Sequence, residues 1–434
     1  MRTHRLCERI AFIGLSEHLT YYYPLNPNQI LTEADRCVKC GLCLPHCPTY
    51  RLTRDEGDSP RGRIALMQAL ASQVVESPNL HRHLDRCLGC LACQTACPSG
   101  VRYGMLIDAV RALAPARLSR LQRYRLSLLS RLPYFRASPA MLRLYQQSGL
   151  KGILRKIGGA RFRRLDDLLP VWSKHPRLQP FYPADKPDNG RVALFTGCIG
   201  RITDQPALHA SVRLLTRIGF EVVVPEQQSC CGALHQHNGQ PGIAKQLAET
   251  NQRAFNRLEL DAIVHVATGC GVQLLEYEAT GQKLNAPVND ICTFLSSTGL
   301  LEKLHFSPLQ RKVLIHHPCS SRRLPGAAAG VTGLLRQIPG IDLRALPETG
   351  CCGAAGSYLL MQPAMADRLR QPILEQVRQH GCNILVTGNT GCALHLAAGL
   401  KHLYPGIEVM HPVQLLLQQL PQPTVFRPWM AIAA

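Results

Sequence analysis

Hydrophobic and polar positions follow two styles along this chain. After Pro187, short apolar runs alternate with longer stretches of helical pattern. Arg191-Val-Ala-Leu-Phe-Thr-Gly-Cys198 reads as a buried strand running into a turn. Residues 220–225 read as a second strand, followed by Cys230-Cys231-Gly232. Asp261-Ala-Ile-Val-His-Val-Ala-Thr-Gly-Cys270 is a third. Unbroken apolar runs of this length suit strands covered on both faces, as in a parallel sheet. The pattern then returns: Lys312-Val-Leu-Ile-His-His-Pro-Cys319, Cys351-Cys352-Gly353, and Cys382-Asn-Ile-Leu-Val-Thr-Gly-Asn-Thr-Gly-Cys392. Before Pro187 the pattern is helical. Residues 64–75 form an apolar helix-like stretch, with Ser59 suited to cap it and Pro60 suited to its first position. Further on, Leu118, Leu121, Leu128, Leu129 and Leu132 fall at spacings that suit amphipathic helices.

The returning pattern keeps one period. Cys198 and Cys319 are 121 residues apart, as are Cys230 and Cys351, and Cys270 and Cys392 are 122 apart. That period is too long for a solenoid repeat and right for a duplicated domain. Strands alternating with helices predict a small α/β unit with a mainly parallel sheet in each copy. The cysteines follow strand ends, where open α/β sheets usually place their sites.

Composition changes this picture in two ways. Of 434 residues, 46% are hydrophobic, enough for two or three domains, while no run of about 18 uncharged apolar residues exists to span a membrane. Nineteen cysteines are far more than a fold needs for packing. The N-terminus has a basic start but only a short apolar run, so no cleavable secretory signal is expected and the thiols should sit in a reducing compartment. There they favour metals or catalysis over disulfides. The sequence as a whole reads as soluble and intracellular.

Eight of the cysteines form two identical runs. Cys37, Cys40, Cys43 and Cys47, then Cys87, Cys90, Cys93 and Cys97, each follow C-x2-C-x2-C-x3-C-P. This is the bacterial ferredoxin spacing for 4Fe–4S clusters. Three thiolates two residues apart can reach three corners of one cubane, and the fourth ligates the other cluster in two-cluster proteins. Cys37, Cys40, Cys43 and Cys97 are therefore assigned to one cluster, and Cys87, Cys90, Cys93 and Cys47 to the other. The proline after each run is expected to turn the chain away. Zinc knuckles would favour two-plus-two spacing with a longer gap and often histidine, which fits poorly. Arg61 and Arg63, between the runs, would lie close to the anionic clusters, where cations raise the reduction potential.

Each copy of the duplicated domain gathers four more cysteines as a metal or redox centre: Cys198, Cys230, Cys231 and Cys270, then Cys319, Cys351, Cys352 and Cys392. Adjacent cysteines followed by Gly could present both sulfurs to one metal, with Gly letting the backbone approach. His235, His237, His317 and His395 stand near enough in sequence to serve as ligands or proton donors. Cys7, Cys292 and Cys382 have no partner at a metal spacing and are expected to be buried as small hydrophobes. No phosphate-binding loop, dinucleotide fingerprint or nucleophile motif is present, so no catalytic residue and no flavin site are assigned to this chain.

Taken together, two ferredoxin runs followed by two CCG-type domains resemble the iron–sulfur subunit of glycolate oxidase. The likeness runs through nearly the whole chain after about residue 30, and is closest over residues 37–50, 59–63 and 83–103. It implies an α+β architecture. A mainly helical ferredoxin-like domain with two 4Fe–4S clusters (28–108) and a basic helical linker (109–187) precede two tandem α/β CCG repeats (188–300 and 310–420). It implies a partner of FAD-containing dehydrogenase subunits that oxidise a 2-hydroxy acid, with FAD on those subunits only. Electrons would pass onward to a membrane quinone pool or another acceptor. A cytoplasmic protein, peripheral on the inner face of the membrane in one alternative, follows from that role. Related proteins with the same parts offer alternatives: a lactate or glycerol-3-phosphate dehydrogenase subunit, or a heterodisulfide-reductase-like subunit with its own catalytic CCG metal site. In heterodisulfide reductases the CCG domain ends in C-x-x-C and holds a noncubane cluster. Here Gln273 and His395 stand at that last position, so a five-thiolate site is incomplete in both copies. A three- or four-thiolate site, with His395 as an added ligand, is the alternative.

The linker carries most of the charge. The chain has 49 Lys and Arg against 29 Asp and Glu, a formal +20, and residues 109–165 contain fourteen basic residues and no acidic one. Such a segment can lie on an anionic membrane, dock an acidic partner, or simply connect domains. Nothing resembles a nucleic-acid-binding fold, and no nucleic-acid partner is expected.

Overall fold

The computed structural model describes residues 25–114, 118–131, 138–170, 175–347 and 350–421 of the 434 in the chain. The N-terminal segment with Cys7, and Arg117, Leu132 and Arg136 of the linker, lie outside the described residues.

The first unit is helical: α1 Pro27–Ala34, α2 Pro48–Thr53, α3 Pro60–Ala71, α4 Pro78–Asp85 and α5 Tyr103–Leu113. Four of these five helices open on Pro, where its fixed φ is pre-organised and its missing N–H is not needed. Pro48 thus starts α2 instead of only turning the chain after Cys47. Ser59 caps α3 as its sequence suggests, its hydroxyl accepting from the Gly62 N–H at 2.9 Å. α3 stops at Ala71, short of Val75, because Gln73 adopts a left-handed φ of 58°. Ile30, Met67, Leu84, Leu106 and Ile107 make the core of this unit. One cysteine loop lies between α1 and α2, and the other between α4 and α5.

Among the described residues the linker forms four helices: α6 Arg120–Arg131, α7 Ser138–Gln147, α8 Leu150–Ile157 and α9 Gly159–Asp167. The buried Asp166 holds the last three together. It accepts from the Tyr145 hydroxyl at 2.7 Å and pairs with Arg155 and with Lys151 at 3.9 Å.

The rest of the chain is the duplicated pair. Strands β1 Phe181–Tyr182, β2 Arg191–Phe195, β3 Glu221–Val223, β4 Ala262–His265 and β5 Val288–Asp290 form one sheet, in the order β1-β3-β2-β4-β5. All its pairs are parallel except the short β1–β3 edge. β6 Lys312–His316, β7 Asp342–Ala345, β8 Ile384–Thr387 and β9 Glu408–Met410 form the second, all parallel, in the order β7-β6-β8-β9. Removing β1 leaves the same topology in both copies. The first copy carries helices α10 Gln205–Arg217, α11 Pro241–Asn256, α12 Thr268–Leu275 and α13 Ile291–Ser297. The second carries α14 Ala327–Leu335, α15 Pro363–His380, α16 Thr390–Leu403 and α17 Pro412–Gln418.

The copies meet with pseudo-twofold reciprocity. α10, after the first strand of copy one, packs on α17, the last helix of copy two, while α14 packs on α13. An exchange of like elements in this way is the mark of a self-complementary, two-fold interface. The helices fill one apolar layer between the sheets, with Val192, Leu194 and Val264 entering from one side and Val313, Ile315 and Val386 from the other. Alternate strand residues, period two, face outward: Ala193 and Phe195 pack with Cys230 and Cys231, and Leu314 and Leu385 with Cys352 and Cys392. Strand periodicity therefore puts each cysteine group on the outer face of its own sheet.

Candidate metal centres

The two ferredoxin-type loops frame two adjoining clefts. The first, about 430 Å³ including its open mouth, is lined by Cys37, Cys40, Cys43 and Cys97, with Cys93 at its border. The second, about 300 Å³, is lined by Cys47, Cys87, Cys90 and Cys93. The fourth cysteine of each run thus stands beside the first three of the other. Burial makes three of these thiols, Cys43, Cys90 and Cys93, poor acids. Burial, and then the charges of neighbouring sulfurs, push Cys90 up to about 12 and Cys93 well above the ordinary thiol range. Such sulfurs become thiolates together only beside cations, and a coordinated metal deprotonates a thiol outright. The donor set and the clefts fit two iron–sulfur cubanes.

A buried polar network backs the second cleft. Asp58, fully buried, accepts from Arg63 at 3.3 Å and from Arg86 at 3.0 Å, and meets His83 Nδ1 at 3.0 Å. Burial alone would raise its pKa, but His83, Arg63 and Arg86 hold the carboxyl below the usual range. Arg63 in turn donates to Cys47 Sγ at 3.7 Å, and the Tyr103 hydroxyl reaches Cys87 Sγ at 3.6 Å. Arg61 pairs with Glu56 at 2.7 Å, reaches the Lys39 carbonyl at 3.2 Å, and lines the first cleft. Both arginines singled out in the sequence therefore face cysteine loops. His83 and Tyr103 bound the 83–103 segment of close resemblance without a role being read for them, and only its nearness to the cysteine runs could have drawn attention to Asp58.

In the duplicated pair the two cysteine groups are built alike. Cys198 and Cys230 sulfurs lie 3.4 Å apart in the first copy, where their counterparts Cys319 and Cys351 are in contact in the second. Cys352 and Cys392 sulfurs lie 3.2 Å apart in the second, where their counterparts Cys231 and Cys270 are in contact in the first. The Gly232 N–H points at Cys230 Sγ at 3.5 Å, and the Gly353 N–H at Cys351 Sγ at 3.4 Å. Both glycines have left-handed φ, 91° and 88°, and a Cβ would stand 3.1 Å from the Ala244 oxygen or 2.6 Å from that of Ala366. This is why Gly follows each cysteine pair. The hydrogen bond to Cys230, then burial, pushes the Cys198 thiol well up, and Cys351 and burial do the same to Cys319. Cys231 and Cys270, and Cys351 and Cys352, are likewise in sulfur contact.

Three of the four candidate histidines have partners of their own. His395 Nε2 meets the Ala366 carbonyl at 3.1 Å and Nδ1 faces Arg370, so its ring is engaged away from the thiols and it is not an added ligand. His235 bonds Gln240 and Ser130, and His237 pairs with Asp108 at 2.9 Å, joining the first copy to α5. Cys292 is fully buried as expected, whereas Cys382 is only half-buried.

The two groups differ in their surroundings. In the first, the Tyr277 hydroxyl donates to the Cys231 carbonyl at 2.8 Å and Asn251 to that of Cys230 at 3.0 Å. The second adjoins the ferredoxin-type unit. A Cβ on Gly350 would lie 3.1 Å from Pro48, Tyr358 donates to the Arg86 carbonyl at 3.1 Å, and Leu88 packs against the layer that contains Cys352 and Cys392. The charges of Cys319 and Cys90 accordingly act on each other's neighbourhood.

Comparison with known proteins agrees with this layout. A 4Fe-4S dicluster domain family matches residues 33–101, and a cysteine-rich domain family, CCG, matches residues 192–275 and 313–397. The chain is 32% identical over 420 residues to the probable glycolate oxidase iron-sulfur subunit of Bacillus subtilis, covering 89% of this chain and 94% of that one. It is 32% identical over 408 residues to the glycolate oxidase iron-sulfur subunit of Escherichia coli, covering 89% and 96%. Lactate utilization protein A of Halalkalibacterium halodurans is 27% identical over 241 residues, covering 53% of this chain and 97% of that one.

Proposed function

Because this chain belongs to the glycolate oxidase iron–sulfur subunit family, we propose that it is the electron-transfer subunit of a flavin-dependent 2-hydroxy-acid dehydrogenase complex. Glycolate is the substrate the family favours. Oxidation of a 2-hydroxy acid to the 2-oxo acid releases two electrons and two protons, which FAD on a partner subunit takes up. This chain then leads the electrons, one at a time, toward a quinone or another acceptor. For this role the chain divides into a two-cluster unit at 28–108, a basic linker at 109–187 and duplicated domains at 188–300 and 310–420.

The observation that carries the reading is the pair of adjoining cysteine clefts with exchanged fourth cysteines. Cys37, Cys40, Cys43 and Cys97 would hold one 4Fe–4S cluster, and Cys47, Cys87, Cys90 and Cys93 the other. A bound cluster of this type supplies one-electron redox chemistry, with a potential set by charge, hydrogen bonds and exposure. Arg63 and Tyr103 donate to ligand sulfurs, and Asp58 fixes Arg63 in place. Cys198, Cys230, Cys231 and Cys270, and Cys319, Cys351, Cys352 and Cys392, are the ligands we assign to a further centre in each duplicated domain. Their packed sulfurs support metal binding over inert burial. Among the described residues no helix is long and apolar enough to cross a membrane.

An iron and acid-labile sulfide count with EPR of the reduced, anaerobically purified chain tests this. About eight irons with two interacting 4Fe–4S signals support the relay and leave the duplicated domains without iron. A count well above eight, with an additional signal, adds their centres. Zinc without sulfide overturns the proposal.

A further inference from the structure

Helices α7, α8 and α9 form a projection with an apolar outer side. Met141 and Leu144 on α7 are 61% and 67% exposed, and Leu150, Ile153 and Ile157 on α8 are 44%, 59% and 73% exposed. Spacings of three and four residues put the three α8 side chains on a single stripe. The border of this patch is basic: Arg143, Lys156 and Arg163 are exposed, and the sequence from 109 to 165 contains no carboxylate. The other side is fastened to the body. Arg164 pairs with Asp367, Asp167 meets His402 at 2.9 Å, and the Asp166 hub keeps the three helices in register. The apolar stripe is therefore presented ready-made, not hidden by a collapse of the linker.

We propose that this projection docks on the surface of an anionic phospholipid bilayer. Its stripe would enter the boundary between headgroups and acyl chains, with the bordering Lys and Arg among lipid phosphates. A basic amphipathic surface with exposed Leu and Ile has the composition of an interfacial helix. A protein interface fits less well, since lysine is depleted there, whereas Lys156 stands directly beside Ile157. The inference does not depend on which acceptor takes the electrons.

Sedimentation of the full, cluster-loaded chain with phosphatidylcholine vesicles, with and without phosphatidylglycerol, tests this. Binding is expected only with phosphatidylglycerol, and it weakens as salt is added. Lys156→Gln should weaken it about fivefold, as expected for one basic residue near a charged surface. Ile153→Glu with Ile157→Glu should abolish it, leaving iron content and circular dichroism unchanged because both side chains are exposed. No binding by the parent chain, or equal binding by parent and the Ile153→Glu/Ile157→Glu variant, overturns the proposal. Loss of the flavin subunit from that variant on co-purification, without loss of vesicle binding, overturns it too and gives the face to a protein partner.

Discussion

The guanidinium of Arg63 and the sulfur of Cys47 are joined in the interior of the helical unit. Nη1 donates to Sγ across 3.7 Å from a side chain that is 1% exposed. The same group reaches Thr49 Oγ1 at 3.0 Å and Asp58 at 3.3 Å, and its Nε donates to the His83 carbonyl at 2.7 Å. Burial works against its charge, but the Cys87, Tyr103, Cys47 and Asp58 charges outweigh that and push its pKa up. A fixed cation therefore stands against the one sulfur that belongs to the first run and lines the second cleft.

Arg63→Met should act on both stability and potential. Removing one partner from a buried ion pair leaves Asp58 short of a charge, a loss of about 3–5 kcal/mol. His83 and Arg86 remain on Asp58 and place the cost at the lower end. The reduction potential of the cluster assigned to Cys47 should fall, because a nearby cation favours the more negative, reduced state. Arg63→Lys should restore much of the potential but not the forked hydrogen bonds. Spectroelectrochemical titration of the three proteins checks the order, and an unchanged potential in Arg63→Met would count against the assignment of Cys47.

Gly330 and Gly333, one turn apart on α14, should respond oppositely to alanine. A Cβ on Gly330 would meet the Thr293 backbone at 2.7 Å, where α14 crosses α13. Alanine is favoured over Gly in a helix by about 1 kcal/mol, but forcing two backbones apart costs typically 1–3 kcal/mol. The clash wins, and Gly330→Ala should lower the melting temperature. At Gly333 the near atom is the Ser296 hydroxyl, 2.6 Å away, which can rotate aside. Gly333→Ala should be neutral or stabilising, and thermal melts of the two variants decide.

Acid should loosen the duplicated pair through its buried histidines. Burial, then the charge of His411, lowers His265 to about 3, and burial lowers His316 and His411 to about 4. Neither ring nitrogen of His265 has a hydrogen-bond partner among the described residues. A free histidine titrates near 6.5, so between about pH 6.5 and 4 the unfolded chain binds more protons than the folded one. Stability is then full above pH 6.5 and falls as the pH drops, by up to about 1.4 kcal/mol per pH unit for each such group. His265→Leu removes one of them. That variant should lose less stability than its parent between pH 7 and pH 5 in urea titrations, and an equal loss would remove His265 from the account.

Much of this was legible in the sequence, and the exceptions have physical causes. β2, β3, β4, β6 and β8 announce themselves because central strands are covered on both faces and need unbroken apolar runs. β7, with Asp342 and Arg344 exposed at a sheet edge, and β9, starting at exposed Glu408, carry no such run. The period of the duplication is visible, but its pseudo-twofold packing is not, because it depends on helices far apart in the chain. Cysteine spacing pointed to the clefts at Cys43 and Cys90. The role of His395 went astray because position relative to Cys392 says nothing of the Ala366 carbonyl that holds its ring.

The asymmetric placement of the duplicated centres gives the last prediction. Pro48 and Gly350 are in contact, and the Tyr358 hydroxyl is bound to the Arg86 carbonyl, so the second copy is seated on the loop that leads into Cys87 and Cys90. After burial, the Cys319 charge is the strongest influence raising the Cys90 thiol to about 12, while no first-copy cysteine acts on it comparably. The first copy instead meets the helical unit through His237 and Asp108, and through Arg111, which donates to the His237 carbonyl at 3.1 Å. A paramagnetic or charged centre at Cys319 and Cys351 should therefore perturb the cluster assigned to Cys90, and one at Cys198 and Cys230 should not. Cys319→Ser should shift the EPR line shape or potential of that cluster, and Cys198→Ser should leave both within error of the parent. Equal effects from the two variants would mean that the duplicated centres communicate with the ferredoxin-type unit through each other and not through the Pro48–Gly350 contact. No effect from either would mean that the second copy holds no charged centre beside Cys90.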